Sequence, residues 1–313
     1  MNHLRFQPEP WMTHMITTRC LEGQGLMTPT PHTTQIITGC FAYALRRYTG
    51  RVKIHHVVAL SNHYHALISA ESQYTLSSFM GLLNGSLAKE LALINGAGGH
   101  IWHRRYAKHL LLDDIALRDA YRYLFANSVK EGLVAHPRDW IGLHGYQALC
   151  EGRALRGIWV DRTRLSRARQ VAKIKGLTPP SELDFTEELP LTLEPPPSWS
   201  HLTPDELSAS CRGWADEVAN EHSTRRAINR EGVIGAEGVL REDPRKRRSV
   251  RKSPRPLCRS GCPARYAHFL NAYYTFAGLY QEASARLRRG LRTSGTSPVV
   301  NFPPGGVPLF GGH

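Results

Sequence analysis

The chain has 313 residues, 41% of them hydrophobic and 21% charged, which is ordinary for a soluble globular protein and long enough for one large domain or two. It carries 40 Lys and Arg against 26 Asp and Glu, a net charge of +14, and that excess favours a polyanionic partner because each neutralised phosphate releases condensed counterions. No apolar run approaches the roughly 20 residues that cross a bilayer, and the opening MNHLRFQPEPW lacks the apolar core of a signal peptide, so no membrane partner and a cytoplasmic setting are expected.

The elements follow in chain order. Residues 11–21, WMTHMITTRCL, alternate loosely and read as a strand. After the turn-rich GQGLMTPTPHT, residues 33–48 have helical apolar spacing and end in Arg46 and Arg47, which suit a helix C-terminus. Residues 52–60 and 64–70 read as two strands of an antiparallel hairpin, turning at Ser61, Asn62 and His63. An amphipathic helix over 75–94 follows, with Thr75 or Ser77 as its cap. Residues 100–112 read as a further strand, and a helix then opens on the acidic pair Asp113 and Asp114. This order predicts an α+β fold, a mainly antiparallel sheet with packed helices.

After about residue 150 the texture changes. Residues 151–203 include PPSELDFTEELPLTLEPPPSW, rich in proline and acid, and are expected to form a linker or extended arm. Residues 204–313 are expected to form a mostly helical basic extension, with a dense basic run at PRKRRSVRKSPR, a second helical pattern from Tyr266 to Tyr280, and a mobile tail. The six cysteines are too sparse for a disulfide scaffold and read as reduced thiols. Cys258 and Cys262, followed by His268, have a spacing that could seed zinc, but no second ligand pair accompanies them.

The chemistry centres on SNHYHALI. In a strand, His63 and His65 point to one face while Tyr64 points to the other. Two imidazoles on one face form a metal clamp or a pair of structural histidines. His55 and His56 are adjacent and are expected to face opposite ways. A divalent ion on two imidazoles and one further ligand can polarise a phosphate, and the reaction then needs a nucleophile. The helix after Asp113 offers Tyr121 and Tyr123. Tyr123 shares a face with Asn127, four residues on, whereas Tyr121 has Phe125 at that position. Spacing therefore selects Tyr123 as nucleophile and Tyr121 as packing.

On these residues the chain resembles the single-tyrosine HUH transposases, most closely the REP-associated tyrosine transposases of bacteria. The matching segments are VVALSNHYHALI, IWHRRYAKHLLLDD and LRDAYRYLFANSVKEGLV, with WMTHMITTRCL resembling the family's first strand. They mark residues 1–150 as the catalytic domain. The resemblance implies a ferredoxin-like, RRM-like HUH endonuclease fold, with His63 and His65 as ligands of Mg²⁺ or Mn²⁺, Asn127 in the place of the third ligand, and Tyr123 attacking a DNA phosphate. It implies cleavage and rejoining of single-stranded or hairpin DNA through a 5′-phosphotyrosine, by a monomer or a homodimer in the bacterial nucleoid. On softness, two imidazoles and an amide oxygen suit Mn²⁺ better than Mg²⁺.

Two positions depart from the family. Asn127-Ser128-Val129-Lys130 stands where Asn-Pro-Val-Arg is common, so the helix is free to continue, and Tyr64 replaces an aliphatic residue between the histidines. Arg104, Arg105 and Lys108 border the site as candidate phosphate contacts, and Arg245, Lys246, Arg247 and Arg248 are further candidates in the extension. Trp199, Tyr266 and Tyr274 are candidates for base stacking, with core packing as the alternative. A catalytically inactive DNA- or RNA-binding regulator derived from such an enzyme is the competing reading, and a replication-initiation or plasmid-mobilising HUH enzyme is a third.

Overall fold

A computed structural model describes residues 4–96, 99–247, 256–294 and 302–303, the side chains of 290–294 excepted. The elements run β1 (Thr13–Arg19), α1 (Pro31–Arg47), β2 (Val52–Ala59), β3 (His63–Ala70), α2 (Gln73–Asn95), β4 (Ala107–Leu111), α3 (Asp114–Lys130), α4 (Tyr146–Glu151), β5 (Leu155–Val160), α5 (Arg162–Lys175), β6 (Thr186–Leu191), α6 (Pro204–Asn229), α7 (Gly235–Arg241), β7 (Cys258–Arg259) and α8 (Pro263–Ser294). Five strands form one sheet in the order β2-β3-β1-β4-β7. All neighbours are antiparallel except β4 and β7, which run parallel. The α+β class read from the sequence is the class observed.

Period-2 alternation sorts the side chains onto two covered faces. Ile16, Tyr64, Ala66 and Ile68 pack with Phe41 of α1 and Phe79 and Leu83 of α2. Met15, Val58 and Leu67 face the other way, onto Tyr121, Leu124 and Phe125 of α3, with Cys211 and Ala215 of α6 behind them. A bulge between Ile54 and His56 breaks the alternation in β2. His55 bonds Ser69, whose hydroxyl also meets Thr13, while His56 packs on Phe125. The bulge thus brings both histidines to the α3 side, where strict alternation predicted opposite faces.

Helix starts follow local chemistry. Pro31 stands at the start of α1 behind the Thr30 cap, and Ser72, rather than Thr75 or Ser77, caps α2 by accepting from the Thr75 amide at 3.1 Å. Asp113 caps α3 by accepting from the Ala116 amide at 2.8 Å. The strand expected over 100–112 is regular only in β4. Residues 100–106 are irregular, tied down by the Cys20–Trp102 bridge and by the Trp102 indole donating to Asn84 O at 2.9 Å.

The linker expected at 151–203 carries β5, α5 and β6. β5 lies so close to α1 that a Cβ built on Gly39 would sit 2.0 Å from Ile158 O, so only glycine fits there. Tyr43 stacks on Trp159 with centroids 3.8 Å apart. Pro190 is tolerated because β5 and β6 form a two-stranded sheet that has only edges.

The extension also departs from a free-standing helical unit. β7 adds the fifth strand, and α8 buries Phe269, Tyr273, Phe276 and Tyr280 against Phe6, Leu110 and Cys258. Cys258 is a core side chain there, and none of the six cysteines forms a disulfide. Among the described residues no helix is long and apolar enough to cross a membrane. Residues 248–255, Arg248 included, and the tail after Ser294, apart from Phe302 and Pro303, lie outside the described residues.

Burial holds several imidazoles neutral. It pushes His55 down to about 4 and His144 down to about 3, and drives His56, whose ring lies 5.5 Å from that of His144, well below the ordinary histidine value. Below about pH 6.5 the unfolded chain binds protons that the folded core refuses, so stability falls as pH drops, by up to about 1.4 kcal/mol per pH unit for each histidine. Urea unfolding between about pH 7 and pH 5 is expected to show this decline, and a flat profile would contradict it.

Candidate active site beneath the tyrosine helix

β3 places His63 and His65 on the face covered by α3. Their partners across β1 are Arg19 and Thr17. Both are buried, 7% and 3% exposed, and their ring centroids stand 4.9 Å apart at a steep angle. Tyr64 points to the opposite core, where its hydroxyl donates to Asn84 Oδ1 at 2.8 Å and its ring meets Phe41 edge-on. It is a packing residue and does not enter the site.

The neighbours of the two rings fix which nitrogen is left bare. Asn62 Nδ2 donates to Gly23 O at 3.3 Å, which turns Oδ1 toward His63 Nδ1 at 2.6 Å. An amide oxygen only accepts, so His63 carries its proton on Nδ1 and offers the lone pair of Nε2. His65 Nδ1 bonds Thr17 Oγ1 at 2.8 Å, and its Nε2 is buried with no hydrogen-bond partner. An orphaned buried nitrogen is costly unless a ligand completes it. Burial, then the charge of Arg19, holds His63 down at about 3; burial, then His63 itself, holds His65 well below the usual value. Both are neutral donors at physiological pH.

α3 brings the other two residues over this pair. The Tyr123 ring sits edge-on to His65, with centroids 5.3 Å apart at 85°, and is half-buried. The Asn127 side chain, one turn further along the same face, is buried and hydrogen-bonds the His63 ring. Tyr121 points elsewhere: its hydroxyl donates to His55 O at 3.1 Å, its ring packs on Trp199 and Trp214, and burial pushes its pKa well above the ordinary value. α3 runs on through Ser128 to Lys130, as serine permits where proline would not. α6 braces it from outside, with Arg122 paired to Glu217 and the Arg226 guanidinium donating to Val129 O at 3.0 Å. Trp199 also donates to Asp114 at 3.0 Å, which makes it a packing residue and removes it from the stacking candidates.

Several residues here carried no signal in the sequence. Arg19 and Lys130 put positive charge beside the rings, and the Lys130 ammonium lies 5.5 Å from the Tyr123 ring centroid. Thr17 and Asn62 orient the imidazoles. Thr17 is recoverable only once the β1–β3 register is known. His109, on the same sheet face as Met15, is also held neutral by burial, at about 4, and its Nε2 has no partner. Among the described residues no three His, Cys, Asp or Glu side chains are grouped to hold a metal; the polar side chain beside the two imidazoles is the Asn127 amide. The orphaned His65 Nε2, the His63 ring nitrogen beside Asn127 and the Asn127 amide oxygen are a fitting donor set for a divalent cation.

The basic candidates separate. Arg104 and Arg105 are exposed on the segment whose His103 amide donates to Arg19 O at 3.0 Å. Lys108 is a correction. It pairs with Ile16 and so faces away from the histidine pair, its ammonium donating to Phe6 O at 3.0 Å and bonding His14 and Gln73. Burial drives its pKa well below the usual lysine value, so it is engaged inside the protein and does not reach a phosphate. Arg245, Lys246 and Arg247 are exposed, and their segment docks on the loop after β1: Gly25 N donates to Pro244 O at 2.8 Å and Arg247 pairs with Glu22 at 2.8 Å. Leu21 in that loop donates to Ile101 O at 2.8 Å. One loop therefore carries both basic segments to the His63 end of the sheet.

No family model matches the chain, and no curated protein matches it. Among solved structures, a REP-associated tyrosine transposase bound to a REP hairpin is similar at 20% identity and a TM-score of 0.41, over 49% of this chain and 87% of that one. A protein from Deinococcus radiodurans R1 described as a "putative transposase" is similar at 15% identity and a TM-score of 0.28, over 40% of this chain and 95% of that one. Both likenesses are distant.

Proposed function

We propose that the chain is a metal-dependent transposase and site-specific endonuclease of the single-tyrosine HUH class, cleaving and rejoining single-stranded or hairpin DNA through a 5′-phosphotyrosine. The observation that supports it is the meeting of His63, His65, Asn127 and Tyr123 under one helix, with the His65 Nε2 buried and unpartnered.

His63, His65 and the Asn127 amide are the residues that would hold Mg²⁺ or Mn²⁺. When bound, such a cation withdraws charge from a phosphate oxygen. Tyr123 supplies the nucleophile. Its Oη forms a bond to the scissile phosphorus, the bond to O3′ breaks, and the phenol proton ends on the departing 3′-hydroxyl. Lys130, its ammonium 5.5 Å from the Tyr123 ring centroid, adds positive charge beside the position a phosphate would take. Attack of a 3′-hydroxyl on the phosphotyrosine reverses the step and joins strands, so one phosphoester replaces another and no nucleotide is consumed. The arginines of the two segments at the loop after β1 suit phosphates on either side of the break.

Strand polarity tests this reading. A 3′-labelled hairpin strand incubated with the protein and Mn²⁺ is expected to leave its label on the protein, and a 5′-labelled strand to be released with a 3′-hydroxyl that a polymerase extends. Label retained from the 5′ end would reverse the polarity. Cut ends with no protein attached would replace the tyrosine by water.

A further inference from the structure

A cavity of about 290 Å³ opens between the N-terminal half of α3 and the start of the extension, lined by Ala116, Asp119, Cys258, Arg259, Ser260 and Tyr266. Its volume lies at the small end of the range for ligand sites, which begins at roughly 300 Å³. Asp119 and Arg259 carry opposite charges into this space, yet neither side chain makes a hydrogen bond or ion pair among the described residues. Tyr266, at the mouth, is 40% exposed, an aromatic face left open to solvent. The floor is rigid: Asp113 accepts from the Gly261 amide at 2.9 Å and the Cys262 amide at 3.3 Å while capping α3.

The position of the cavity relates it to the tyrosine. Asp119 lies four residues before Tyr123, on the same face of α3 and about 6 Å along the helix axis. Arg259 pairs with Leu111 of β4 and adds its charge to the surroundings of His109, on the sheet face that carries His65. A strand held at Tyr123 therefore has this cavity as its neighbour along the helix.

We infer that the cavity is a base-reading pocket for one unpaired guanine next to the cleavage position, an inference that rests on the single-stranded DNA reading above. An ionised carboxylate only accepts hydrogen bonds. Guanine is the base that presents two adjacent donors, N1–H and the 2-amino group, on its pairing edge. Adenine would turn its N1 lone pair toward Asp119. Tyr266 supplies the stacking face and Arg259 meets the nucleotide's phosphate. Unpaired bases are read in this way, by stacking and by their pairing edges.

The test is fluorescence anisotropy of the full chain in EDTA with short labelled oligothymidylates carrying a single guanine, hypoxanthine or adenine. Guanine is expected to bind about tenfold tighter than hypoxanthine, which lacks only the 2-amino group, within the discrimination a bidentate contact gives. Asp119→Asn is expected to erase that difference, and Tyr266→Ala to weaken every oligonucleotide containing a purine. Equal binding of the bases, no binding of any, or a guanine preference that survives Asp119→Asn would overturn the pocket. Because the readout needs neither metal nor Tyr123, repeating it in Tyr123→Phe separates this inference from the cleavage chemistry.

Discussion

Replacing His63 and His65 together by alanine is expected to lower divalent-ion-dependent DNA cleavage by roughly 10³-fold or more, the scale on which loss of a catalytic group registers, while DNA affinity changes little. The two imidazoles lie beneath α3, 7% and 3% exposed, and are not surface contacts for phosphate. Affinity is instead expected to come from the exposed Arg104, Arg105, Arg245, Lys246 and Arg247 near the loop after β1, and to keep its salt dependence. Thr17→Val gives a graded version. It removes the hydroxyl that orients His65 at 2.8 Å, so the cation concentration for half-maximal cleavage is expected to rise about tenfold with the maximal rate largely kept. Cleavage titrations against Mn²⁺, beside filter binding in EDTA and thermal melts to confirm folding, measure all three. Undiminished cleavage by the double variant would remove the histidines from the site.

Ending the chain at residue 255 is expected to abolish cooperative folding, with the loss of DNA binding as a consequence. The deletion strips β7 from the sheet, bares Phe6 and Leu110, and removes the Ser260, Gly261 and Cys262 donors from Asp113, the cap of the tyrosine helix. Each large apolar side chain lost from the core forfeits about 1.5–3 kcal/mol. α8 contributes Phe269, Tyr273, Phe276 and Tyr280, so the sum approaches the ~5–15 kcal/mol that hold a domain together. Phe276→Ala isolates one part: its ring stacks on Phe6 at 4.6 Å, and its loss is expected to cost about 3–5 kcal/mol. Urea unfolding followed by circular dichroism reads both. A shortened chain that still unfolds in one sharp transition at an unchanged midpoint would show the extension to be a detachable module.

That outcome bears on what the sequence could disclose. β1, the β2–β3 hairpin, α2 and α3 are long enough for period 2 or 3.6 to declare them, and the spacing of Tyr123 and Asn127 along α3 needed no tertiary information. β7 is two residues long and parallel to β4, so it carries no period and acquires meaning only when the chain returns from far away to the sheet edge. β6 hides behind Pro190 and its two glutamates, because an edge strand in a two-stranded sheet tolerates residues that read as linker. The direction of Lys108 is hidden in the sequence for a different reason. Alternation separates it from His109 but does not say which of the two faces the histidine pair, and proximity in sequence to Arg104 and Arg105 does not place it on their surface. The bulge at His55 likewise overrode a rule of alternation that holds for the rest of the hairpin. The convergence of segments 101–105 and 243–247 on one loop is a fact of topology alone.

The most direct measurement of the central claim is a denaturing gel of the full chain incubated with end-labelled single-stranded hairpin DNA from the flanks of its own gene, with Mn²⁺ or EDTA, beside Tyr123→Phe and Tyr121→Phe. The expected result is a slow covalent protein–DNA band that requires the metal, is lost in Tyr123→Phe, and persists in Tyr121→Phe once that variant is shown to be folded. A band that survives Tyr123→Phe, or bound DNA that is never linked in any lane, would contradict a tyrosine nucleophile at this position.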